Sequence, residues 1–151
     1  MTYERKFREE KQLGTLYHFT SIARLEDIIN SDYILKSNSK AIINDKHIFT
    51  ISFTRDFALD TTWTRFSDVR ISVDGTKLSN KYKIVPYADF PRNYKKEREE
   101  ALIGKTADIK NSIIKIDIKV DEDRFNDLYP QEYNLIKKQN IKFNFVDKFR
   151  H

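Results

Sequence analysis

The sequence predicts an α+β fold, because stretches of strict two-residue alternation are interleaved with short stretches of helical period. Phe49, Ile51 and Phe53 alternate with Thr50, Ser52 and Thr54, and Val69, Ile71 and Val73 repeat that pattern, as half-buried strands do. Ile22, Leu25, Ile28 and Ile29 instead fall on one helix face. At 151 residues with no internal repeat or low-complexity tract, the chain is expected to form a single domain, residues 1–151, around one core.

Taken in order, the N-terminal stretch up to residue 13 is almost wholly polar, with Tyr3 and Phe7 as a narrow apolar stripe, and predicts a peripheral helix. Leu16, Tyr17 and Phe19 read as a buried strand, and Thr20 or Ser21 caps the helix over 22–30. Tyr33-Ile34-Leu35 is a short strand, followed by a loop rich in Ser and Asn at 37–40. His47 to Thr54 is a strand. Asp74-Gly75 predicts a turn after the strand at 69–73, before a partner around Leu78, Tyr82 and Ile84. Residues 88–98, with Pro91 and four basic residues, predict a surface loop. Ile114, Ile116, Ile118 and Val120 mark the longest alternating strand, Pro130 opens a helix near 128–138, and Ile141, Phe143 and Phe145 form a last strand.

Composition excludes several kinds of chemistry. With no cysteine there is no disulfide framework, thiolate nucleophile or cysteine-ligated metal. Gly14, Gly75 and Gly104 are too far apart for a Walker or Rossmann phosphate loop. His18, His47 and His151 lack the spacing of a zinc site, so no metal is expected. There is no apolar leader and no stretch of membrane-spanning length, so a cytoplasmic protein with no membrane partner is expected. The net charge of +5 suits approach to nucleic acid or another polyanion, and equally a cleft for a dinucleotide's pyrophosphate.

His18 is fixed where the first strand meets the first helix, so its imidazole can offer a donor and an acceptor to a ligand's hydroxyls. Taken alone, such a histidine serves equally well as a packing residue. Two further segments accompany it: Ser52-Phe53-Thr54-Arg55 at a strand end, and Glu99-Glu100-Ala101-Leu102-Ile103 leaving the basic loop. Read alone, Arg55-Asp56 is a surface ion pair and the run around Glu97, Glu99 and Glu100 a solvated helical turn.

In their order, Tyr17-His18-Phe19-Thr20, the Arg55 segment and the Glu100 segment resemble an ADP-ribosyltransferase, more narrowly the DarT-type DNA ADP-ribosyltransferases and small phage-encoded proteins of the same layout. The resemblance spans roughly residues 15–120 and rests on short motifs. It implies two facing, mainly antiparallel sheets with peripheral helices and an NAD cleft between them. It also implies NAD as substrate, no metal, and mono-ADP-ribosyl transfer to nucleic acid or a host protein. The size is similar to that of phage proteins that act against host defence. By the same resemblance His18 contacts the NAD ribose, Arg55 holds the pyrophosphate or orients the cofactor, and Glu100 is the catalytic glutamate. Glu99, one residue off, would point to the opposite face. Ser52 and Thr54 share a strand face that could line the cleft, with Tyr17 and Thr20 as neighbours. Arg92, Lys95, Lys96 and Arg98, together with Phe90 and Tyr94, are expected to meet the acceptor. Nicotinamide stacking has no single candidate; Phe53, Phe57, Tyr82 and Tyr87 are all available. The other reading keeps the fold without catalysis, as a binding module whose basic surface occupies a nucleic-acid or protein partner.

Overall fold

The computed structural model describes residues 13–56, 67–86 and 99–149. The fold is mixed, mostly strands with a few helices. In chain order the elements are β1 (Thr15–Thr20), α1 (Ile22–Asn30), β2 (Ile34–Lys36), β3 (Ser39–Ile43), β4 (Lys46–Thr54), β5 (Val69–Asp74), α2 (Gly75–Ser79), β6 (Ile84–Pro86) and β7 (Glu99–Ile103). They continue with β8 (Thr106–Asp108), a single 3₁₀ turn (Lys110–Ser112), β9 (Ile113–Ile118), α3 (Glu122–Leu128), α4 (Pro130–Lys138) and β10 (Phe143–Phe145). The expected N-terminal helix up to residue 12 and the loop at 88–98 lie outside the described residues.

The strands form two separate, mainly antiparallel sheets of unequal size. The main sheet has eight strands in the order β10-β9-β5-β1-β4-β7-β6, with β3 added on β4, while β2 and β8 form a separate two-stranded ribbon. All described pairings are antiparallel except β10 on β9. The ribbon is small because β8 is three residues long and turns a single apolar side chain, Ala107, inward beside Leu35.

Alternation gives the main sheet two unlike faces. Leu16, Ile51, Phe53, Val69, Ile71, Val73, Leu102, Ile116 and Ile118 form one face, against which Leu25 and Ile28 of α1, Leu35 of the ribbon, Phe125 of α3 and Ile136 of α4 pack as one core. A smaller cluster, Ala41, Ile43, Val85 and Ala101, occupies the other face at the β3–β7 end. There the face turns polar toward β5 and β9, where Arg70 and Asp117 pair at 2.7 Å.

Helix α1 has the expected limits. Ser21 Oγ accepts the Arg24 backbone N–H at 3.2 Å, capping the first turn, and Leu25, Ile28 and Ile29 are buried. Where a loop was expected at 37–40, Ser39 begins a strand that pairs with β4 from Ser39↔Thr50 to Ile43↔Lys46. The hairpin closes on Asn44 and Asp45, both left-handed with φ of 52° and 62°, the residues that accept that conformation without glycine. After β5 the expected turn is one helical turn, α2, with Asp74 Oδ1 accepting from the Lys77 N–H at 3.1 Å. Gly75 is required there by close packing, since a Cβ would meet Gly14 O at 2.8 Å and Leu13 Cβ at 2.9 Å. Among the described residues no helix is long and apolar enough to cross a membrane.

Candidate functional site

The site begins with an opening in the main sheet. β1 pairs with β5 along its whole length, from Thr15↔Asp74 to Thr20↔Val69, but meets β4 only at Tyr17↔Thr54. Farther along the same edge β3 takes over at Ser39↔Thr50. Between those two points β1 and β4 splay apart, and His18 bridges the gap. Its Nδ1 lies 2.7 Å from the Ser52 carbonyl oxygen, which can only accept, so Nδ1 carries the proton and Nε2 keeps its lone pair. A backbone carbonyl that a continuous sheet would satisfy with an N–H is satisfied here by a side chain.

The protonation state follows from the surroundings. Removal from water pushes the His18 imidazole below the ordinary histidine value of 6.5, the Ser52 carbonyl opposes this, and the positive charge of Arg24 pushes it lower again. The ring is therefore a neutral hydrogen-bond acceptor at Nε2 near neutral pH.

A cavity of about 290 Å³ opens at the splay, lined by His18, Thr20, Ser21 and Arg24 on one side and by Lys36 to Ser39 and Thr50 to Ser52 on the other. A smaller one of about 80 Å³ adjoins it and shares His18, Thr20, Arg24 and Lys36, with Asp27 and Leu35. The walls thus come from β1, α1, the β2 strand of the ribbon and β4. Ser37 shapes the rim by setting its hydroxyl 2.6 Å from Thr50 O and 2.7 Å from Ser39 O.

The remaining expected site residues divide between the two faces. β4 and β7 register as Phe53↔Glu100 and Thr54↔Glu99, which puts Glu100 on the core face with His18 and Phe53 and Glu99 on the opposite face with Ser52 and Thr54. His18 and Phe53 rings lie 5.4 Å apart, so Phe53 stands between His18 and Glu100's strand. Glu100 is fully buried, and Arg55 Nε donates to its Oε2 at 3.0 Å. Ser52 Oγ donates to Glu99 Oε2 at 2.7 Å. Thr20 borders the cavity from the His18 face, while Tyr17 points to the other face with Thr54. Tyr82 is committed elsewhere, its hydroxyl accepting from the Asp108 N–H at 2.8 Å, and Phe53 is 1% exposed within the core. Arg92, Lys95, Lys96, Arg98, Phe90, Tyr94, Phe57 and Tyr87 lie outside the described residues.

Sequence reasoning did not single out Arg24, Lys36 or Asn38, which the fold brings to the cavity. A signal existed for Arg24. It sits three residues after the Ser21 cap, on the first turn of a helix whose start flanks His18. Among the described residues there is no group of three or more His, Cys, Asp or Glu side chains able to hold a metal. No protein-family model matches the sequence, and no curated protein matches it.

Proposed function

We propose that the protein is an NAD-dependent mono-ADP-ribosyltransferase acting on a macromolecular acceptor, nucleic acid or protein. The observation that carries the reading is His18: a neutral imidazole, tautomer fixed by Ser52, bordering a hydroxyl-lined cavity with two cations and sharing a sheet face with Glu100. Nε2 would accept a ribose hydroxyl hydrogen and so orient the sugar. As the C1′–nitrogen bond breaks, its electron pair leaves with nicotinamide and positive charge grows on the ribose. The Glu100 carboxylate would stabilise that charge and then take the proton lost by the acceptor as the new bond to C1′ forms. Arg55 would act by positioning, since its guanidinium holds Glu100 in one orientation.

A second reading is favoured by one specific observation, the complete burial of Glu100 against Arg55. On that reading the chain is a catalytically inactive binding module of the same fold, and its basic surface occupies a nucleic-acid or protein partner. Incubation of the pure protein with labelled NAD and cell extract, followed by separate nuclease and protease digestion, decides between the two. Transferred label identifies the acceptor by which digestion removes it. No transfer and no nicotinamide release under any condition leaves the binding module.

A further inference from the structure

The family resemblance implies that Arg55 holds a dinucleotide's diphosphate or orients the cofactor, but Arg55 is engaged by Glu100 and lines neither cavity at His18. We propose that Arg24 and Lys36 form the diphosphate-binding subsite of this cleft, with Asn38 positioning the Arg24 guanidinium. The ligand class is a nucleoside diphosphate or its ester. Its identification as part of NAD rests on the function proposed above, whereas the anion subsite stands on the cavity itself.

Four observations carry the assignment. First, both cations border both cavities, and neither forms an ion pair with a carboxylate among the described residues. Among the described residues the larger cavity has no acidic lining residue; Asp27 lines the smaller one, one turn along α1 from Arg24. Second, with its amide oxygen turned to the guanidinium, Asn38 accepts from Arg24 Nη2 at 2.7 Å and Nη1 at 3.3 Å. A neutral amide fixes the direction of the fork and leaves its positive charge uncompensated, as recognition of a phosphate needs. Third, Thr20 lines the cavity at 6% exposure, so its hydroxyl is available there to a polar ligand atom. Fourth, the two sides of the cleft supply one cation each, Arg24 from the helix after β1 and Lys36 from the end of the ribbon strand β2. Two positive charges, one of them oriented by Asn38, match the two negative charges that the diphosphate of a dinucleotide carries. His18 on the same wall accepts hydroxyl hydrogens, so a sugar joined to the diphosphate has its own partner.

Calorimetric titration with ADP, ADP-ribose, NAD and adenosine tests the subsite on the full chain. Arg24 and Lys36 are both exposed, so Arg24→Gln and Lys36→Gln are expected to fold, with circular dichroism as the check. Each should weaken ADP and ADP-ribose binding roughly tenfold or more, the loss expected for a charge-assisted contact. Adenosine binding should not change between parent and variants, and ADP binding should weaken as salt is added. Asn38→Ala should give a smaller loss, because the charge remains and only its orientation is freed. Unchanged ADP affinity in both charge variants overturns the subsite, as does loss in Arg55→Gln alone. The two proposals fail differently. ADP held through Arg24 and Lys36 without any NAD binding keeps the subsite and removes the NAD reading, whereas NAD bound equally by parent and both charge variants does the reverse. A parent that binds neither ADP nor NAD overturns both.

Discussion

Among the described residues two arginines pair with buried carboxylates of the main sheet, one on each face, and their settings differ in a way that separates architecture from chemistry. Arg70 and Asp117 stand directly opposite one another, near the start of β5 and the end of β9. Nε and Nη2 both donate to Asp117 Oδ2, at 3.2 and 2.7 Å, and Asn144 Nδ2 of β10 donates to Oδ1 at 3.1 Å. Phe149 covers the guanidinium at 4.8 Å. The pair ties three strands together, and with side chains 7% and 2% exposed it has no way out to water. Arg55 instead lies one residue beyond the end of β4, 21% exposed, and reaches back to a fully buried Glu100. A carboxylate in the second setting is oriented by a partly exposed partner at a strand end. The first setting is a staple.

The largest effect should come from breaking the staple. Asp117→Ala removes the buried carboxylate to which Arg70 Nε and Nη2 donate and should cost about 3–5 kcal/mol of unfolding free energy. Chemical denaturation measures this. Replacing both members with apolar residues of similar volume should recover most of the loss, because desolvation of both charges is then avoided. A double variant no more stable than Asp117→Ala would mean that the pair contributes through something other than its charges.

Glu100→Gln reverses the balance. Glutamine keeps the shape of Glu100 and Arg55 is 21% exposed, so the cost in stability should be smaller than for Asp117→Ala, while the proposed transfer of ADP-ribose should fall by about 10²–10³-fold, roughly 3 kcal/mol of transition-state stabilisation. Glu99→Gln is the control, since register puts Glu99 on the Ser52 and Thr54 face. Full activity in Glu100→Gln with a dead Glu99→Gln would move the reacting centre to that other face, where Ser52 links Glu99 to the carbonyl that His18 holds.

How much of this was legible depended on range. The limits of α1 follow from the Ser21 cap and the spacing of Leu25, Ile28 and Ile29, all local signals. The central strands follow from alternation, and parity alone separates Glu99 from Glu100. The same parity also separates Ser52 and Thr54 from His18, but only once β1 and β4 are set in register, which is a long-range fact. β3 was hidden because Ala41 and Ile43 are its only inward apolar residues, although Asn44-Asp45 is a hairpin signal. Its addition to β4 decides where the cavity opens. The division into an eight-stranded sheet and a small ribbon was equally illegible, because no local pattern records which strands pair.

His18 gives a smaller effect with a definite sign. Its folded-state value lies below 6.5, so the unfolded chain binds the proton more readily. The stability this group contributes is present above pH 6.5 and is lost as pH falls through the lower folded value. Denaturation midpoints for the parent should therefore drop more between pH 7 and acid than those of His18→Asn, which has no proton to gain. Parallel pH profiles for the two proteins would mean that the imidazole is not desolvated at the splay.

The smallest effect belongs to an ion pair with no interior setting. Glu122 and Lys137 join α3 to α4 at 3.1 Å, with side chains 43% and 57% exposed. The Tyr133 hydroxyl donates to the same Glu122 oxygen at 2.6 Å and is the foremost cause of that carboxyl's lowered value, ahead of Lys137. Water already solvates both charges and salt screens what remains, so contact alone does not make the pair a staple. Lys137→Ala should leave the melting temperature within a degree or so of the parent, and Tyr133→Ala should shift it more, because the Tyr133 ring also packs against the core. If Lys137→Ala instead destabilised the protein as much as Asp117→Ala, burial would not be what distinguishes the Arg70 pair, and the contrast between the two faces of the sheet would lose its physical basis.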